Sequence, residues 1–574
     1  MVFVCGGDFM AYFLKKTKAG NRTYLAIYDS FYSHDKKGTA HKCYKSLGSI
    51  ESLISSGIED PIAFYEAEVL ALNNARVSEK TLLVSDISPQ RYLGYFLYKS
   101  LLNKLNIKKF IDLFKYSTDF DFSLYSLLSS LIFARAVNPC SKHRTFHEVM
   151  PYLYEPCDFS YDQLLSGLAF FGANYEKITE LFADRVNEKY GISTKLTYFD
   201  CTNFYFEIDR EDDFRRKGPS KENSKNPIVG LGLLLDANQI PIGMKMYPGN
   251  QSEKPVLREV INELKKQNNI TSRTIHVADK GLNCTENITY SLLNGDGYLF
   301  SKSIKQLPET EKKWVLLKND WKEKKDGQGN VLYLYKSCID EFPYTITDNN
   351  GKKKVVTIKE KRLVTYNRSL ADKKKREIER MIEKARSLSL SQAKRKEYGD
   401  AAKYVNFDSI DEEGKKTGEK VKVSLNKEAI EKDFELAGYN MLVTSELAMT
   451  NQDMYSIYHN LWMIEESFKI MKSDLDARPV FLQKEDTIKG HFLICYLTVL
   501  LQRILQYKVL ENKYSANEIF KFIRSFKIVK TEYRYVNLIT KSNFLIDLST
   551  RTSLPLMNYF LSETKIQTIL NCKL

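Results

Sequence analysis

Three polar residues recur at intervals of seven along one predicted helix. The stretch from Tyr458 to Lys472 contains no glycine or proline, and its apolar residues recur every three or four positions, which predicts an uninterrupted amphipathic helix. Seven residues are close to two helical turns, so Tyr458, Glu465 and Lys472 fall in one row. A phenol, a carboxylate and an ammonium group in such a row form half of a candidate site. The apolar side beside the row consists of Leu461, Ile464, Phe468 and Met471.

Glu466 competes with Glu465 for a place in that row. Adjacent residues of a helix point about 100° apart, so only one of the two glutamates can lie beside Tyr458 and Lys472. The alternative is a solvated helix in which Glu465 pairs with Lys469 one turn later. The spacing alone leaves both interpretations open.

Two aspartates end predicted β-strands elsewhere in the chain. One strand ends at Asp200 and another at Asp279, and a polar turn follows each. Ligands of open α/β sheets bind at that end of the strands, although turns also favour aspartate. Together with Glu465 the two would supply three oxygen ligands of the type that Mg²⁺ and Mn²⁺ prefer. Since two such ions can assist both oxygens of a phosphoryl transfer, we predict a Mg²⁺-dependent site in which Mn²⁺ can substitute.

The balance of charges points to a polyanionic partner. The chain has 574 residues, of which 86 are Lys or Arg and 72 are Asp or Glu, and its formal net charge is +14. This excess predicts nucleic acid as the first partner and a membrane surface as the second, with a merely basic soluble protein as the alternative. A run of cations after Asp200 is a candidate phosphate-contact loop or, alternatively, a solvated loop. It contains Arg215, Arg216, Lys217 and Lys221.

Cysteine use and hydropathy indicate a reducing compartment and no membrane anchor. The nine cysteines are scattered singly, and neither they nor the seven histidines form a zinc-binding pattern. The N-terminus lacks the basic region and apolar core of a signal peptide. The most apolar run, His491 to Leu505, is too short to span a bilayer and contains Arg503. We therefore expect a cytoplasmic protein.

Changes of sequence period divide the chain into six predicted regions. After β-like and then helical regions, three hairpin-connected strands, a helix, a strand, a helix and a strand predict a mixed α/β sheet. A Lys-rich segment interrupts this core before the helix that carries Glu465. The regions are 1–85 (β-rich), 86–193 (helical, expected to bind DNA), 194–301 (first part of the core), 302–438 (Lys-rich, largely β), 439–510 (second part of the core) and 511–574 (helical).

Four local sequences resemble the DDE transposases of bacterial insertion sequences, in the superfamily with the signature Y-x2-R-x3-E-x6-K. The resemblance covers about residues 120 to 510, and its most specific part is the last of the four sequences. In chain order these are Y-F-D-C-T-N around Asp200, G-N-Q-S-E at 249–253, V-A-D-K-G at 277–281 and Y-x-x-L-W-x-I-E-x-x-F-x-x-x-K at 458–472. Two weaker stretches are R-A-V-N-P-C-S-K at 135–142 and S-K-E at 220–222.

This resemblance implies an RNase H-like core that is interrupted by a largely β insertion at 302–438. It implies a metal-binding catalytic triad of Asp200, Asp279 and Glu465, with Tyr458 and Lys472 assisting by orienting DNA phosphates. Glu465, and not Glu466, matches the signature. The implied partners are the inverted-repeat ends of the element and target DNA, bound by a homodimer that is associated with the nucleoid while on DNA.

The resemblance also implies a reaction and leaves some contacts open. Water activated between two Mg²⁺ ions would cut the strand at the element end, and the freed 3′-OH would attack a second phosphodiester. The signature arginine falls on Leu461, so its phosphate contact would come from elsewhere, such as Lys469 or His459. Family members stack a flipped base on an aromatic residue of the insertion, for which Trp314 and Trp321 are candidates by residue type, with a core position as the alternative.

Two other functions are compatible with the same residues. An RNase H-like nuclease or resolvase would cut DNA without strand transfer. A transposase-derived protein with a decayed site would bind DNA without cutting it, although the intact acidic trio argues against decay. A strand-transfer assay with pre-cut ends separates the first of these from a transposase.

Overall fold

The chain forms two compact units, Met1–Ser88 and Pro89–Leu574, in a computed structural model. Glu222, part of the S-K-E stretch, lies outside the residues that the structure describes. The described residues are 11–33, 38–80, 88–221, 225–267, 273–347, 352–390, 395–410, 416–531 and 534–574.

The first unit is a three-stranded antiparallel sheet with helices, as predicted for a β-rich N-terminal region. The strands are consecutive in the sheet, and Leu25 and Ile27 of the central strand are buried. Its elements are β1 (Tyr12–Ala19), β2 (Arg22–Ser33), β3 (Gly38–Ser49), α1 (Ile50–Ser55) and α2 (Pro61–Lys80).

The second unit begins with a short strand and a helical layer, which confirms the predicted helical character of this region. The helix Leu124–Val137 is apolar on all sides and almost entirely buried, as expected of a core helix. The elements are β4 (Gln90–Tyr92), α3 (Phe96–Lys104), α4 (Ile107–Leu113), α5 (Leu124–Val137), α6 (Lys142–Arg144), α7 (Tyr161–Ala173) and α8 (Tyr175–Tyr190).

The next elements follow the predicted succession of strands and helices. Three antiparallel strands are neighbours, and the two later strands lie parallel to the first of them. This arrangement confirms the mixed α/β class. The elements are β5 (Leu196–Tyr205), β6 (Ile228–Leu235), β7 (Pro241–Pro248), α9 (Glu253–Gln267), β8 (Ile275–Ala278), α10 (Thr285–Leu293) and β9 (Gly297–Lys302).

The Lys-rich region extends the same sheet and is less β-rich than predicted. Trp314 lies in a helix, another helix of the region is 23 residues long, and two of its strands pair with each other outside the large sheet. The elements are α11 (Glu309–Leu316), β10 (Lys322–Lys325), β11 (Val331–Thr347), β12 (Lys353–Tyr366), α12 (Arg368–Leu390), β13 (Val405–Ile410), β14 (Lys416–Leu425), α13 (Lys427–Glu435) and β15 (Tyr439–Thr444).

Nine strands thus form one sheet in the order β10-β11-β12-β15-β9-β8-β5-β6-β7. The side chains of β5 alternate between two hydrophobic cores. Tyr198 and Phe204 point into the core that contains the helical layer, and Phe199 and Cys201 point into the core on the side of α9. Since successive residues of a strand face opposite sides, Asp200 faces the same side as Tyr198.

The C-terminal part contains helices, as predicted, together with three short strands that were not predicted. These strands and β4 form a four-stranded antiparallel sheet, in which one of them pairs directly with β4 from a distant part of the chain. The elements are α14 (Asn451–His459), α15 (Trp462–Lys469), α16 (Glu485–Ile504), α17 (Ala516–Ser525), β16 (Lys527–Lys530), β17 (Tyr535–Asn537), α18 (Asn543–Thr552), β18 (Phe560–Leu561) and α19 (Glu563–Leu570).

One helical run among the described residues is long and apolar enough to cross a membrane. It comprises Glu485–Val509, 25 residues, so the prediction of a run too short to span a bilayer is wrong in length. Of its apolar window, 94% is buried inside the protein. Gly490 allows close packing on α7, because a Cβ there would lie 2.1 Å from the carbonyl oxygen of Leu168. The run is therefore packed as a core helix.

Candidate active site

Asp200 and Asp279 lie at the same level on two adjacent parallel strands. β5 and β8 are paired with Phe199 opposite Ala278, and each aspartate is the next residue. Asp279 follows the end of β8 as predicted, whereas Asp200 lies within β5, which continues along β6 to Tyr205. The prediction of a strand end at Asp200 is therefore wrong, but Asp200 does lie where pairing with β8 ends.

Asp200 is held in a largely desolvated environment that contains other carboxylates. Burial raises the pKa of the Asp200 carboxyl to about 6, and the nearby carboxylates of Glu253 and Asp279 add to the rise. The charge of Lys221 and the amide N–H of Cys201, which donates to Oδ1 at 2.7 Å, act in the opposite direction. The site thus has a local excess of negative charge.

Lys221, predicted as a phosphate contact, lies between two carboxylates. Its Nζ is 3.7 Å from Oδ1 of Asp200 and 3.5 Å from Oε1 of Glu253, and it donates to the carbonyl oxygen of Cys201. Burial lowers the pKa of Lys221, but the two carboxylates outweigh burial and the net pKa is raised. Lys221 is therefore the counter-ion of what we call the acidic site, which consists of Asp200, Asp279, Glu253 and Lys221.

Glu253 is a member of this site to which the sequence reading assigned no role. It is the first residue of α9, in the G-N-Q-S-E stretch. Two glycines bring its loop and the Lys221 loop together, since a Cβ on Gly218 would lie 1.9 Å from the carbonyl oxygen of Gly249. The paired glycines were the available signal in the sequence, because a close approach of two backbones requires glycine.

Tyr458 joins α14 to the acidic site. Its hydroxyl donates to Oδ1 of Asp279 at 2.7 Å. Burial, followed by the charge of Asp279, raises the pKa of the Tyr458 phenol, so the phenol remains a hydrogen-bond donor. The predicted contact of Tyr458 with DNA phosphate stays a prediction, and its partner in the structure is a carboxylate.

The helix that carries the predicted row is interrupted, contrary to the sequence prediction. α14 ends at His459, and the turn before α15 contains i to i+3 hydrogen bonds, from Leu461 N to Tyr458 O at 3.0 Å and from Ile464 N to Leu461 O at 3.1 Å. A π-helical turn, Ile470–Asp474, follows α15. The prediction of the apolar side is confirmed, because all four of its residues are buried.

The two adjacent glutamates have different environments. Glu466 accepts a hydrogen bond at 3.1 Å from Nη1 of Arg503, whose side chain is fully buried. Glu465 is exposed on α15, which packs against β5, and within the described ranges it forms neither a hydrogen bond nor an ion pair, including with Lys469. Glu466 is thus engaged in packing, and Glu465 has its carboxylate available.

The remaining predicted cations have different surroundings. Lys472 is half-buried, with Nζ 5.4 Å from the centroid of the Phe204 ring on β5. Lys469 is exposed on α15, and Lys217 is exposed in the loop after β5 that contains the predicted run of cations. The other two loop cations are paired locally: Arg215 Nη2 lies 2.6 Å from Asp212 Oδ2, and Arg216 Nη2 lies 2.9 Å from Asp213 Oδ1.

Leu461 and the two tryptophans Trp314 and Trp321 pack against hydrophobic cores of the protein. Leu461 is 7% exposed, so a side chain at this position faces the core. His459, one of the predicted substitutes for the signature arginine, stacks on Tyr455 with 3.8 Å between ring centroids. The Nζ of Lys336 lies 5.2 Å from the centroid of the Trp314 ring and 4.7 Å from that of the Trp321 ring. Both rings pack against the hydrophobic core on the side of α9.

The donor chemistry of the acidic site fits a hard divalent cation, but the three predicted ligands are not gathered in one group. Asp200 and Asp279 are neighbouring carboxylates, and Asp200 is paired with Lys221; carboxylate oxygens are the ligands that Mg²⁺ and Mn²⁺ prefer. Within the described part of the chain, no three His, Cys, Asp or Glu side chains are arranged to hold one metal ion. Glu465 would have to approach the aspartates.

Two comparisons with known proteins identify no relative of this chain. A scan against protein-family models finds no match, and a search of curated proteins finds none either. The fold class and the positions of these side chains are therefore the structural basis for any functional assignment.

Proposed function

We propose that this protein is a metal-dependent DNA transposase of the DDE type. The observation that carries the proposal is the placement of Asp200 and Asp279 at one level on adjacent parallel strands, with Tyr458 linking Asp279 to the segment that carries Glu465. A single acidic residue at a strand end is common, but two in register with a third acid on a packed helix match the residues that the motifs single out.

The sheet supports an RNase H-like core as part of this proposal. Numbered from β5 as the first strand, β7-β6-β5-β8-β9 has the order 3-2-1-4-5, with the last two strands parallel to the first. We assign residues 302–438 to an insertion in that core, whose strands β10 to β12 extend the sheet through β15.

Asp200 and Asp279 would hold the metal, and Glu465 would complete the ligand set. Mg²⁺ or Mn²⁺ bound there supplies a Lewis acid for the attacking and leaving oxygens of a phosphodiester. The Asp200 carboxylate is suited to this role because burial and the neighbouring carboxylates disfavour its ionised form, which a bound divalent cation would stabilise. Lys221 balances part of that charge in the structure.

The side chains around the acids have distinct roles in the proposed reaction. Tyr458 fixes the orientation of the Asp279 carboxylate through its hydroxyl. Lys472, beside β5, would bind a DNA phosphate as a compact point charge on a flexible stem. Lys221 lies within 4 Å of two carboxylates and can turn its ammonium group to a phosphate when a divalent cation takes its place.

Cleavage and joining are two phosphoryl transfers in this proposal. A water oxygen attacks the phosphorus atom at the element end, the P–O3′ bond breaks, and the strand is left with a free 3′-OH. That 3′-OH then attacks a second phosphodiester and displaces one of its oxygens, with no covalent enzyme intermediate. The net charge of +14 suits a double-stranded DNA partner, and we propose a homodimer that acts in the cytoplasm on paired ends.

The test is an assay of cutting and joining by the full chain. A duplex that carries the terminal inverted repeat of the encoding element is incubated with Mg²⁺ and a supercoiled target plasmid. We expect nicking at the repeat end and joining of pre-cut ends to the plasmid. Cutting without any joining would favour a nuclease, and binding without cutting would favour a decayed transposase.

A further inference from the structure

A second charged site lies between the helical layer and the loop before α16. It is a cavity of about 720 Å³, which we call the basic cavity. Four of its lining side chains are cationic and one carboxylate reaches it. These are Arg135, Lys142, Arg144, Arg478 and Asp476, and His491 also contributes to the wall.

Two of the cations are buried side by side. Arg135 is 3% exposed and Lys142 is 6% exposed, and neither forms an ion pair within the described ranges. Arg135 Nη1 donates to the carbonyl oxygen of Leu475 at 3.2 Å, and Lys142 Nζ lies 3.0 Å from Nδ1 of His491. Two adjacent buried cations that have only neutral acceptors are unfavourable unless an anion accompanies them.

His491 cannot supply the missing negative charge. Its Nε2 lies 2.9 Å from the carbonyl oxygen of Ala477, so Nε2 carries the proton and Nδ1 accepts from Lys142. Burial, followed by the charge of Arg135, lowers the pKa of Lys142 well below its ordinary value. Burial, followed by the charge of Lys142, also lowers the pKa of His491 well below its ordinary value. These shifts agree with a site that lacks its anion.

The carboxylate of Asp476 does not neutralise the buried pair. Asp476 is exposed, and its backbone adopts a positive φ of 42° in the loop that leads to Arg478. Arg144 is paired with Glu148 on the surface, at 2.8 Å. The uncompensated charge of the basic cavity is therefore that of Arg135 and Lys142.

The basic cavity is adjacent to the strand that carries the catalytic carboxylate. The guanidinium of Arg478 lies 4.8 Å from the centroid of the Tyr205 ring. Tyr205 is five residues after Asp200 on β5, which corresponds to about 17 Å along a strand. A nucleic acid strand at the acidic site could therefore reach the basic cavity within a few nucleotides.

We propose that the basic cavity binds a backbone phosphate of the DNA strand held at the acidic site, through Lys142, Arg135 and Arg478. This inference rests on the proposed function for the identity of the strand. The phosphate chemistry itself does not depend on it, because a free phosphate ion would satisfy the same cations. A phosphate titration and a DNA-binding assay separate the two sources.

The first test uses inorganic phosphate as the probe and the thermal midpoint of the full chain as the readout. Titration at constant ionic strength against chloride should raise the midpoint saturably, by about 1–2 °C at tenfold excess over half-saturation. Lys142→Met should lose most of this shift. Lys489→Met is the matched control, since Lys489 lies on α16 but is paired with Glu485 at 2.6 Å, and it should keep the full shift.

A second variant guards against a failure of Lys142→Met to fold. Arg478 is only half-buried, so Arg478→Gln leaves the core intact and should also reduce the phosphate shift. If the wild-type chain shows no saturable response, or if Arg478→Gln and Lys142→Met both respond like Lys489→Met, the basic cavity is not a phosphate site.

The second test measures DNA affinity with a duplex containing the repeat end, over a range of salt concentrations. Lys142→Met should bind five- to tenfold more weakly than the wild type, with a log–log salt slope shallower by about one phosphate contact. Lys489→Met should match the wild type. A phosphate shift without any change in DNA affinity would overturn the DNA assignment and identify free phosphate as the ligand.

Failure of this inference is distinguishable from failure of the proposed function. Neither test requires catalysis, and both can be repeated in an Asp279→Asn background, where the midpoint shift and the effect of Lys142→Met should persist. Absence of cutting by the wild-type chain, together with an intact phosphate response, would count against the catalytic proposal alone.

Discussion

The acidic site and the basic cavity are opposite cases of unbalanced charge in one molecule. At the acidic site Lys221 lies between the carboxylates of Asp200 and Glu253, with that of Asp279 nearby, whereas in the basic cavity two buried cations have only neutral acceptors. Burial of unpaired charge is costly, so each site indicates the partner that would complete it. A divalent cation suits the first and a phosphate suits the second, and a metal-dependent reaction on DNA provides both.

Metal removal should produce the largest effect and tests whether the acidic site depends on a bound cation. With EDTA we expect cleavage of the end duplex to fall by at least about a thousandfold, because the phosphoryl transfer would lose its Lewis acid. Mg²⁺ or Mn²⁺ should restore it, whereas Ca²⁺, with its different coordination, should support binding far better than cleavage. Cleavage that proceeds in EDTA would show that the reaction does not require a metal ion.

The adjacent glutamates Glu465 and Glu466 separate a catalytic role from a structural role within one helix turn. Glu465→Gln should reduce cleavage by about a hundredfold with unchanged stability, because Glu465 is exposed and would act only as a ligand. Glu466→Gln should change cleavage little but lower the free energy of unfolding by about 1 kcal/mol, because the buried Arg503 loses a charged partner. Urea unfolding and single-turnover cleavage measure the two effects, and the reverse pattern would exchange the roles.

Lys472 tests whether the segment after α15 meets the DNA. Lys472→Ala should reduce cleavage or end binding by about tenfold, since a phosphate contact beside the acids would be lost. Lys521→Ala, an exposed lysine on α17, is the control and should stay within twofold of the wild type. An arginine introduced at Leu461 should not compensate, because that side chain is buried in the core. Equal activity of the two lysine variants would place Lys472 away from the DNA.

The pH dependence of stability tests the charge excess without DNA. The pKa of Asp200 is raised from 3.8 to about 6 on folding, so the folded state favours the protonated acid. Its contribution to stability is present below about pH 4 and is lost as the pH rises towards 6. In metal-free buffer at pH 7, Asp200→Asn should therefore be more stable than the wild type by on the order of 2 kcal/mol. A destabilised variant with an unchanged pH profile would contradict this.

The sequence predicted the elements with local signals and missed those that depend on distant contacts. The succession from β5 to β9 follows from alternating runs and turns, and the apolar side around Ile464 follows from helical spacing. The strands β16 to β18 were missed because they belong to a sheet in which β16 pairs with β4, more than 400 residues earlier in the chain. The interruption before α15 was missed as well, because the helical period continues through it.

The candidate site shows the same division. Asp200, Asp279 and the choice between Glu465 and Glu466 could be proposed from motifs and spacing. The position of Lys221 between two carboxylates, the place of Glu253 and the hydrogen bond from Tyr458 to Asp279 could not, since they arise from loops that meet only in the folded chain. Arg503 was identified in the apolar helix, but its pairing with Glu466 is a tertiary contact.

The most direct test of the account compares joining of pre-cut ends by the wild type and by Asp279→Asn under the same Mg²⁺ concentration. Asp279→Asn keeps the size of the side chain and an oxygen that Tyr458 can donate to, so folding and end binding should remain within about twofold of the wild type. We expect efficient joining by the wild type and a loss of at least about a thousandfold in the variant, or about 4 kcal/mol of transition-state stabilisation. Joining by Asp279→Asn at the wild-type rate would contradict the assignment of the acidic site as the catalytic centre.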